Sequence, residues 1–160
     1  MRVLVLSDSH SSYHFMRRTI DELQPDAVIH LGDHYSDGQT MAEEYPHIPF
    51  YLVPGNCDRY RDWISDPETK LEIIGGVRLL LTHGHNHHVK TGLQALLADA
   101  RASGVSAVLF GHTHMSYCHQ EEDGLWVVNP GSAGYGRGTA ALLEISGGKI
   151  DSCCIVCPIN

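Results

Sequence analysis

The strongest constraint on how this chain folds is a series of short apolar runs that each end in a cluster of polar, chemically reactive side chains. The clusters are Asp8-Ser9-His10, Gly32-Asp33, Gly55-Asn56-Cys57-Asp58, Thr82-His83-Gly84-His85 and Gly111-His112-Thr113-His114. Runs of this length are typical of buried strands, and in open α/β folds ligands bind beyond the carboxyl ends of the strands. We therefore predict that five clusters, far apart along the chain, converge at one edge of the fold.

The periodicity of the remaining sequence predicts strands and helices in alternation, followed by hairpins. Apolar side chains at helical spacing predict helices over 14–23, 37–45 and 90–102. Strand-like runs cover 2–6, 27–31, 50–53, 71–74, 77–81 and 107–110, and later hairpins pair 117–120 with 125–128 and 140–145 with 150–156. The polar stretch 59–70 predicts a surface loop. This order indicates two layered sheets with helices outside, in a single domain of residues 1–160.

The composition argues against several classes of protein. The net charge is −8 with histidine counted as neutral, whereas capture of nucleic acid or of an anionic membrane needs a basic face. No signal peptide and no apolar run long enough to span a bilayer is visible in the sequence. Five cysteines, an odd number, fit reduced thiols. We expect a cytoplasmic location, and neither a membrane nor a nucleic acid as partner.

The types of side chain in the clusters indicate metal binding. Asp8 and His10 are two residues apart, so in an extended segment both point to one side and can reach one ion. His112 and His114 share that spacing and could present two imidazoles together. Asp33 has two carboxylate oxygens and can hold two cations at once. A lone aspartate or histidine at such a place is more often a capping residue, but their ordered combination favours a pair of divalent ions.

These motifs together resemble the calcineurin-like metallophosphoesterase superfamily. The short length, the Gly55–Asp58 motif and Asn129-Pro130-Gly131-Ser132 are similar to those of its small prokaryotic phosphodiesterases. The resemblance implies an α/β fold, a four-layer α/β/β/α sandwich of two mixed sheets with flanking helices. It also implies that Asp33 bridges two ions, the first held with Asp8, His10 and His114, and the second with Asn56, His83 and His112.

The resemblance further implies hydrolysis of small phosphodiesters by hydroxide activated between two divalent ions, manganese first and iron, zinc or nickel as alternatives. The residues assigned to catalysis are Asp33, Asn56, Cys57 and His85, and those assigned to substrate are Asn56, Cys57, His85 and Arg137. Many members of the superfamily carry histidine where this chain has Cys57. A thiol is a poorer hydrogen-bond donor, so we expect a preference for good leaving groups. Either His83 or His85 could be the ligand, and the resemblance favours His83.

Two other functions remain open on the sequence. One is a protein-interaction module that keeps the fold without the chemistry, although none of the matched ligand positions is lost. The other is a nuclease, against which the acidic balance weighs. A homo-oligomer is also compatible with the chain, because relatives of this size often self-associate.

Overall fold

The computed structural model describes residues 1–58 and 63–157. Within those ranges the chain forms ten strands and three helices. The strands are β1 Arg2–Leu6, β2 Ala27–His30, β3 Phe50–Leu52, β4 Thr69–Ile74, β5 Val77–Thr82, β6 Ala107–Leu109, β7 Tyr117–Gln120, β8 Trp126–Asn129, β9 Ala140–Ser146 and β10 Lys149–Val156. The helices are α1 Tyr13–Leu23, α2 Tyr35–Glu44 and α3 Gln94–Ala102.

The strands form two mixed sheets of five strands each. The first has the order β10-β9-β1-β2-β3 and the second the order β4-β5-β6-β8-β7. β1, β2 and β3 run parallel to one another, as do β5, β6 and β8, whereas the remaining neighbours pair antiparallel. Parallel neighbours end at the same edge of a sheet, so the loops that follow β1, β2 and β3 are adjacent, and so are those after β5, β6 and β8.

The alternation of side chains along each strand builds four layers. Val3 and Val5 of β1 belong to the core between the two sheets, whereas Leu4 and Leu6 pack against α1 and α2 on the outer face. Leu80 of β5 likewise faces outward and packs against α3. Successive strand residues point to opposite faces, which is why two sheets buried on both sides read as nearly continuous apolar runs. The predicted α/β/β/α sandwich is confirmed.

Three predicted boundaries were wrong for local reasons. The third helix begins at Gln94 rather than at residue 90, because turns occupy the chain before it and Gly92 adopts φ +154°. α2 begins two residues earlier than predicted, because the Asp58 carboxylate accepts the Tyr35 N–H at 3.0 Å and caps the helix from a distant loop. The predicted surface loop ends at residue 68, since Thr69 and Lys70 already pair with β5, and residues 59–62 of it lie outside the described residues.

None of the helices in the described part of the chain is both long enough and apolar enough to span a bilayer.

Candidate metal centre

The five clusters occupy the loops that follow β1, β2, β3, β5 and β6. Backbone hydrogen bonds tie these loops together, because the Asp8 N–H donates to the Gly32 carbonyl at 2.9 Å and the Gly111 N–H donates to the His83 carbonyl at 3.1 Å. Ser132, in the loop after β8, adds a side-chain bond from its Oγ to the Asp8 carbonyl at 2.8 Å. The loops of both sheets therefore meet at one end of the sandwich.

The backbone at most of the predicted ligands is not extended. The expectation that residues two apart point to one side because the segment is extended was therefore wrong. Five of the seven predicted ligand positions have φ between 43° and 68°, the left-handed region: Asp8, His10, Asp33, His112 and His114. For residues with a Cβ this conformation costs roughly 1–3 kcal/mol each, and such strain concentrates at functional sites. Tight turns, rather than the alternation of a strand, bring the side chains together.

The first cluster consists of Asp8, His10 and His114, whose ligand atoms all lie within 4.8 Å of one another. His114 Nε2 lies 3.1 Å from Asp8 Oδ1. The other carboxylate oxygen, Oδ2, accepts hydrogen bonds from Ser7 Oγ at 2.6 Å and from the His112 N–H at 3.0 Å. These bonds orient Asp8, so that its Oδ1 faces the two imidazoles.

The second cluster consists of Asp33, His83 and His112, again with ligand atoms within 4.8 Å of one another. His83 Nε2 is its centre, at 3.5 Å from Asp33 Oδ2, 3.1 Å from Asn56 Oδ1 and 3.2 Å from His112 Nδ1. His83 Nδ1 donates to the Leu31 carbonyl at 2.7 Å, because a carbonyl can only accept. That bond fixes the ring and directs Nε2 into the cluster.

Electrostatics prepare these groups unequally. Burial opposes ionisation of both Asp33 and His83, but their mutual hydrogen bond and attraction outweigh it, so the pKa of Asp33 is lowered and that of His83 is raised. Burial, with the positive charges of His83 and Lys90, lowers the pKa of His112 to about 4. Burial also lowers the pKa of His10. His10 and His112 are therefore neutral at neutral pH, which is the metal-binding form of imidazole.

The donor set fits two divalent cations. Among the described residues, Asp8 Oδ1 and His10 Nε2 are buried atoms that make no hydrogen bond, and the ring nitrogens near Asp8 Oδ1 belong to His114 and His83, which are themselves predicted ligands. The two clusters are contiguous, since His83 Nε2 lies 3.9 Å from Asp8 Oδ1. Mixed oxygen and nitrogen ligation suits manganese, iron and zinc alike. Asp33 is grouped with the second cluster, and a bridging role for it stays a prediction.

A buried relay of hydrogen bonds supports the turn that carries Asp8 and His10. Asp37 Oδ2 accepts from Ser9 Oγ at 2.8 Å and from the Ser11 N–H at 2.7 Å. His30 Nδ1 accepts from the Gly32 N–H at 3.3 Å, so its Nε2 carries the proton and donates to Ser9 Oγ at 2.9 Å. Asp37 belongs to α2 and His30 ends β2, so residues from three separate segments meet in this relay.

We expect His30 to make the stability of the metal-free protein depend on pH. Burial lowers the pKa of His30 from 6.5 to about 4. The unfolded chain therefore takes up a proton at a higher pH than the folded protein does. The neutral state of His30 contributes on the order of 3 kcal/mol to the free energy of unfolding. This contribution is fully present above pH 6.5 and is lost as the pH falls toward 4. Chemical denaturation between these pH values should show that the free energy of unfolding falls more in the wild type than in His30→Gln.

The matched control for that experiment is His119→Gln, because His119 is exposed on β7. Its pH profile should follow that of the wild type. Parallel profiles for wild type and His30→Gln would contradict the buried neutral state of His30.

The structure places His85 and Cys57 near the second cluster, whereas no contact joins Arg137 to either cluster among the described residues. The His85 ring centroid lies 5.5 Å from that of His83, and its Nε2 lies 3.5 Å from Glu68 Oε1, so His83 rather than His85 is in the cluster. The Cys57 N–H donates to Asp33 Oδ1 at 2.9 Å. Desolvation, followed by the Asp33 carboxylate, raises the pKa of the Cys57 thiol to about 11 and keeps it protonated. Arg137 is exposed in the loop after β8.

Tyr135 lies at the first cluster, which sequence reasoning missed. Its ring centroid is 4.6 Å from that of His114 and 5.1 Å from that of His10, and 58% of the residue is exposed. Its N–H donates to Ser132 Oγ at 3.1 Å, so the same serine that binds the Asp8 backbone also holds this loop. The only sequence signal nearby was the Asn129–Ser132 turn that contributed to the resemblance.

The Asn129–Ser132 turn supports the loop that carries His112 and His114. Asn129 Nδ2 donates to the Gly111 carbonyl at 2.9 Å and to Thr113 Oγ1 at 3.0 Å, and Asn129 Oδ1 accepts from the Gly131 N–H at 2.9 Å. The buried amide thus connects the end of β8 to the loop that carries His112 and His114.

Comparisons with known proteins agree with this geometry. The family model of the calcineurin-like phosphoesterase superfamily domain matches residues 1–148. A probable metallophosphoesterase of Bacillus subtilis, YsnB, is 33% identical over 135 residues, which cover 82% of this chain and 75% of that protein. The crystal structure of a predicted phosphoesterase from Streptococcus pneumoniae has a TM-score of 0.73 at 28% identity, over 91% of this chain and 83% of that one.

The fold is also similar to that of Vps29 from Entamoeba histolytica, solved in complex with zinc. The TM-score is 0.72 at 23% identity, and the match covers 98% of both chains. At this identity the likeness concerns the fold alone. The family model spans most of the chain, and the residues that carried the resemblance in the sequence lie together at one end of the sandwich. The chain belongs to the calcineurin-like phosphoesterase superfamily.

Proposed function

We propose that this protein is a metal-dependent phosphodiesterase that hydrolyses small phosphodiesters at the end of the sandwich where the two clusters meet. The observation that carries the proposal is the pair of buried, unsatisfied ligand atoms, Asp8 Oδ1 and His10 Nε2, next to a second set of three convergent ligands. Membership of a phosphoesterase family supports hydrolysis of an ester. The preference for diesters, and for manganese among the divalent ions, is part of the proposal.

Asp8, His10 and His114 would hold one cation, and Asn56, His83 and His112 the other, with Asp33 shared. When bound, a pair of divalent cations neutralises the charge of a phosphate ester and lowers the pKa of water toward neutrality. The protein itself orients the ligand atoms in the absence of metal. Asn56 illustrates this, because its Nδ2 lies 3.6 Å from Cys57 Sγ and its Oδ1 faces His83.

Of the residues assigned to substrate, Asn56, Cys57 and His85 lie near the second cluster. Cys57 is exposed and its thiol is protonated at neutral pH, so it can donate only a weak hydrogen bond to a departing oxygen. His85 lies between this cluster and Glu68, where it can contact a bound ester. Arg137, exposed in the loop after Tyr135, would meet the substrate from the solvent side. We expect diesters with good leaving groups to be the better substrates.

The test is turnover by protein that has been stripped with a chelator and reloaded. Bis(p-nitrophenyl) phosphate and p-nitrophenyl phosphate are assayed with manganese, iron, zinc and nickel, and the bound metal is quantified first. We expect faster turnover of the diester, highest with manganese, and loss of activity on renewed chelation. Protein that holds two ions and turns over neither ester would refute the proposal and leave the non-catalytic interaction module. Cleavage of oligonucleotides in preference to small diesters would support the nuclease instead.

A further inference from the structure

A groove of about 400 Å³ is lined by residues that follow β5 and β6. Its lining is mostly apolar, with two hydroxyl groups and one cation, and consists of Val89, Lys90, Leu93, Phe110, Thr113, Met115, Ser116 and Tyr117. The volume falls in the range of roughly 300–1,000 Å³ that is typical of small-molecule sites. Metal binding does not require an apolar surface, so the groove is better explained as a binding site for an apolar part of a ligand.

The groove adjoins the loops that carry the metal ligands at three residues. Thr113, which also lines it, stands between His112 and His114 in the chain and accepts from Asn129 Nδ2 at 3.0 Å. Val89 packs over Gly84, the residue after His83, so closely that a Cβ at Gly84 would lie 3.0 Å from Val89 Cγ2.

The third residue is Lys90, which follows Val89 in the chain and lines the groove with it. The groove therefore adjoins the loops that carry the metal ligands, and Lys90 gives it a cation.

Exposure of large apolar side chains also marks the groove. Met115, in the loop before β7, is 72% exposed, and Tyr117, the first residue of β7, is 39% exposed, so polar side chains at both positions would not have disturbed the core. A thioether and an aromatic ring adapt to flat, polarisable partners, and such side chains recur where small molecules and partners bind. Lys90 would repel a cationic group and favour one that carries negative charge.

We propose that this groove binds an aromatic ester group of the phosphodiester, with Lys90 facing an anionic oxygen of the same molecule. The inference rests on the proposed function, because the metal centre would hold the phosphorus-bearing end of the ligand. The predicted substrate class is an aryl or nucleoside phosphodiester rather than a dialkyl one.

The test uses binding rather than turnover. Zinc-loaded protein carries [13C-methyl]methionine, whose Met115 signal reports on the groove, while the exposed Met1, which bonds to β9 through its amino group, is the internal control. Methylphosphonate, phenylphosphonate and thymidine 5′-monophosphate are titrated in turn. We expect phenylphosphonate to shift the Met115 signal saturably, to leave Met1 unmoved, and to bind about 10-fold more tightly than methylphosphonate. The thymidine arm distinguishes a nucleoside from a simple aryl group.

Variants complete the design. Met115→Ala and Tyr117→Ala should each reduce the advantage of phenylphosphonate over methylphosphonate, whereas Ile73→Ala, at a 67% exposed apolar residue on β4, should leave it unchanged. Equal affinity for the two phosphonates with a silent Met115 would overturn the groove assignment, whatever the activity. A Met115 shift with tight phenylphosphonate binding, in protein that hydrolyses no diester, would support the groove and refute the proposed function.

Discussion

Asp33→Asn should abolish most of the phosphodiesterase activity and weaken metal binding at least about 100-fold. The substitution keeps the shape of a buried side chain but removes the negative charge that lies 3.5 Å from His83 Nε2. Loss of a group that merely orients a ligand costs about 10–100-fold in metal affinity or activity, so loss of a proposed shared ligand should cost more. The measurements are kcat/KM on bis(p-nitrophenyl) phosphate and elemental analysis of the purified variant.

The matched control is Asp123→Asn. Asp123 is an exposed carboxylate whose Oδ2 accepts from Arg101 Nε at 2.7 Å in the turn between β7 and β8. Exposed pairs of this kind contribute little to stability, so activity and metal content should match the wild type. Full activity and two bound ions in Asp33→Asn would remove that residue from the site.

Gly111→Ala should lower the free energy of unfolding of the protein and should also weaken metal binding at the first cluster. A Cβ at this position would lie 1.9 Å from Ser7 Oγ and 2.8 Å from Asp8 Oδ2, so the serine or the carboxylate must move. Overpacking of a tight interior costs about 1–3 kcal/mol. The free energy of unfolding comes from denaturant titration of metal-free protein, and metal binding from calorimetry on the folded variant.

Ser7→Ala supplies the control, because it removes the atom nearest to the new methyl group. Ser7→Ala alone should destabilise the protein slightly, because the 2.6 Å hydrogen bond from Ser7 Oγ to Asp8 Oδ2 is lost. Combined with Gly111→Ala it should recover part of the loss, with a coupling of about 0.5–3 kcal/mol in the double-mutant cycle. Strictly additive effects would show that Ser7 Oγ is not the atom with which the added methyl group clashes.

The sequence predicted the layers of the fold because short, nearly continuous apolar runs are characteristic of strands buried on both faces. It also predicted where the reactive side chains would meet, since parallel strands end at a common edge. It could not predict how the backbone turns at that edge. The left-handed conformations of Asp8 and His10 depend on bonds to Asp37 and His30, which lie more than 20 residues away.

The choice between His83 and His85 shows the same limit. Both histidines would share one face if the strand continued, but Gly84 turns at φ +101° and a 3-10 turn begins at His85. Tyr135 escaped notice for a related reason, since its place against His114 depends on a loop held by Ser132. Pattern identifies elements and their ends, whereas long-range hydrogen bonds decide which side chain enters the site.

We expect side chains from both sheets to assemble one centre for two divalent cations. The most direct test is an equilibrium titration of stripped wild-type protein with manganese, followed by anomalous diffraction from the loaded crystals. We predict two ions per chain, one contacting Asp8, His10 and His114 and the other Asn56, His83 and His112. No bound metal under saturating conditions, or ions at other residues, would contradict the account.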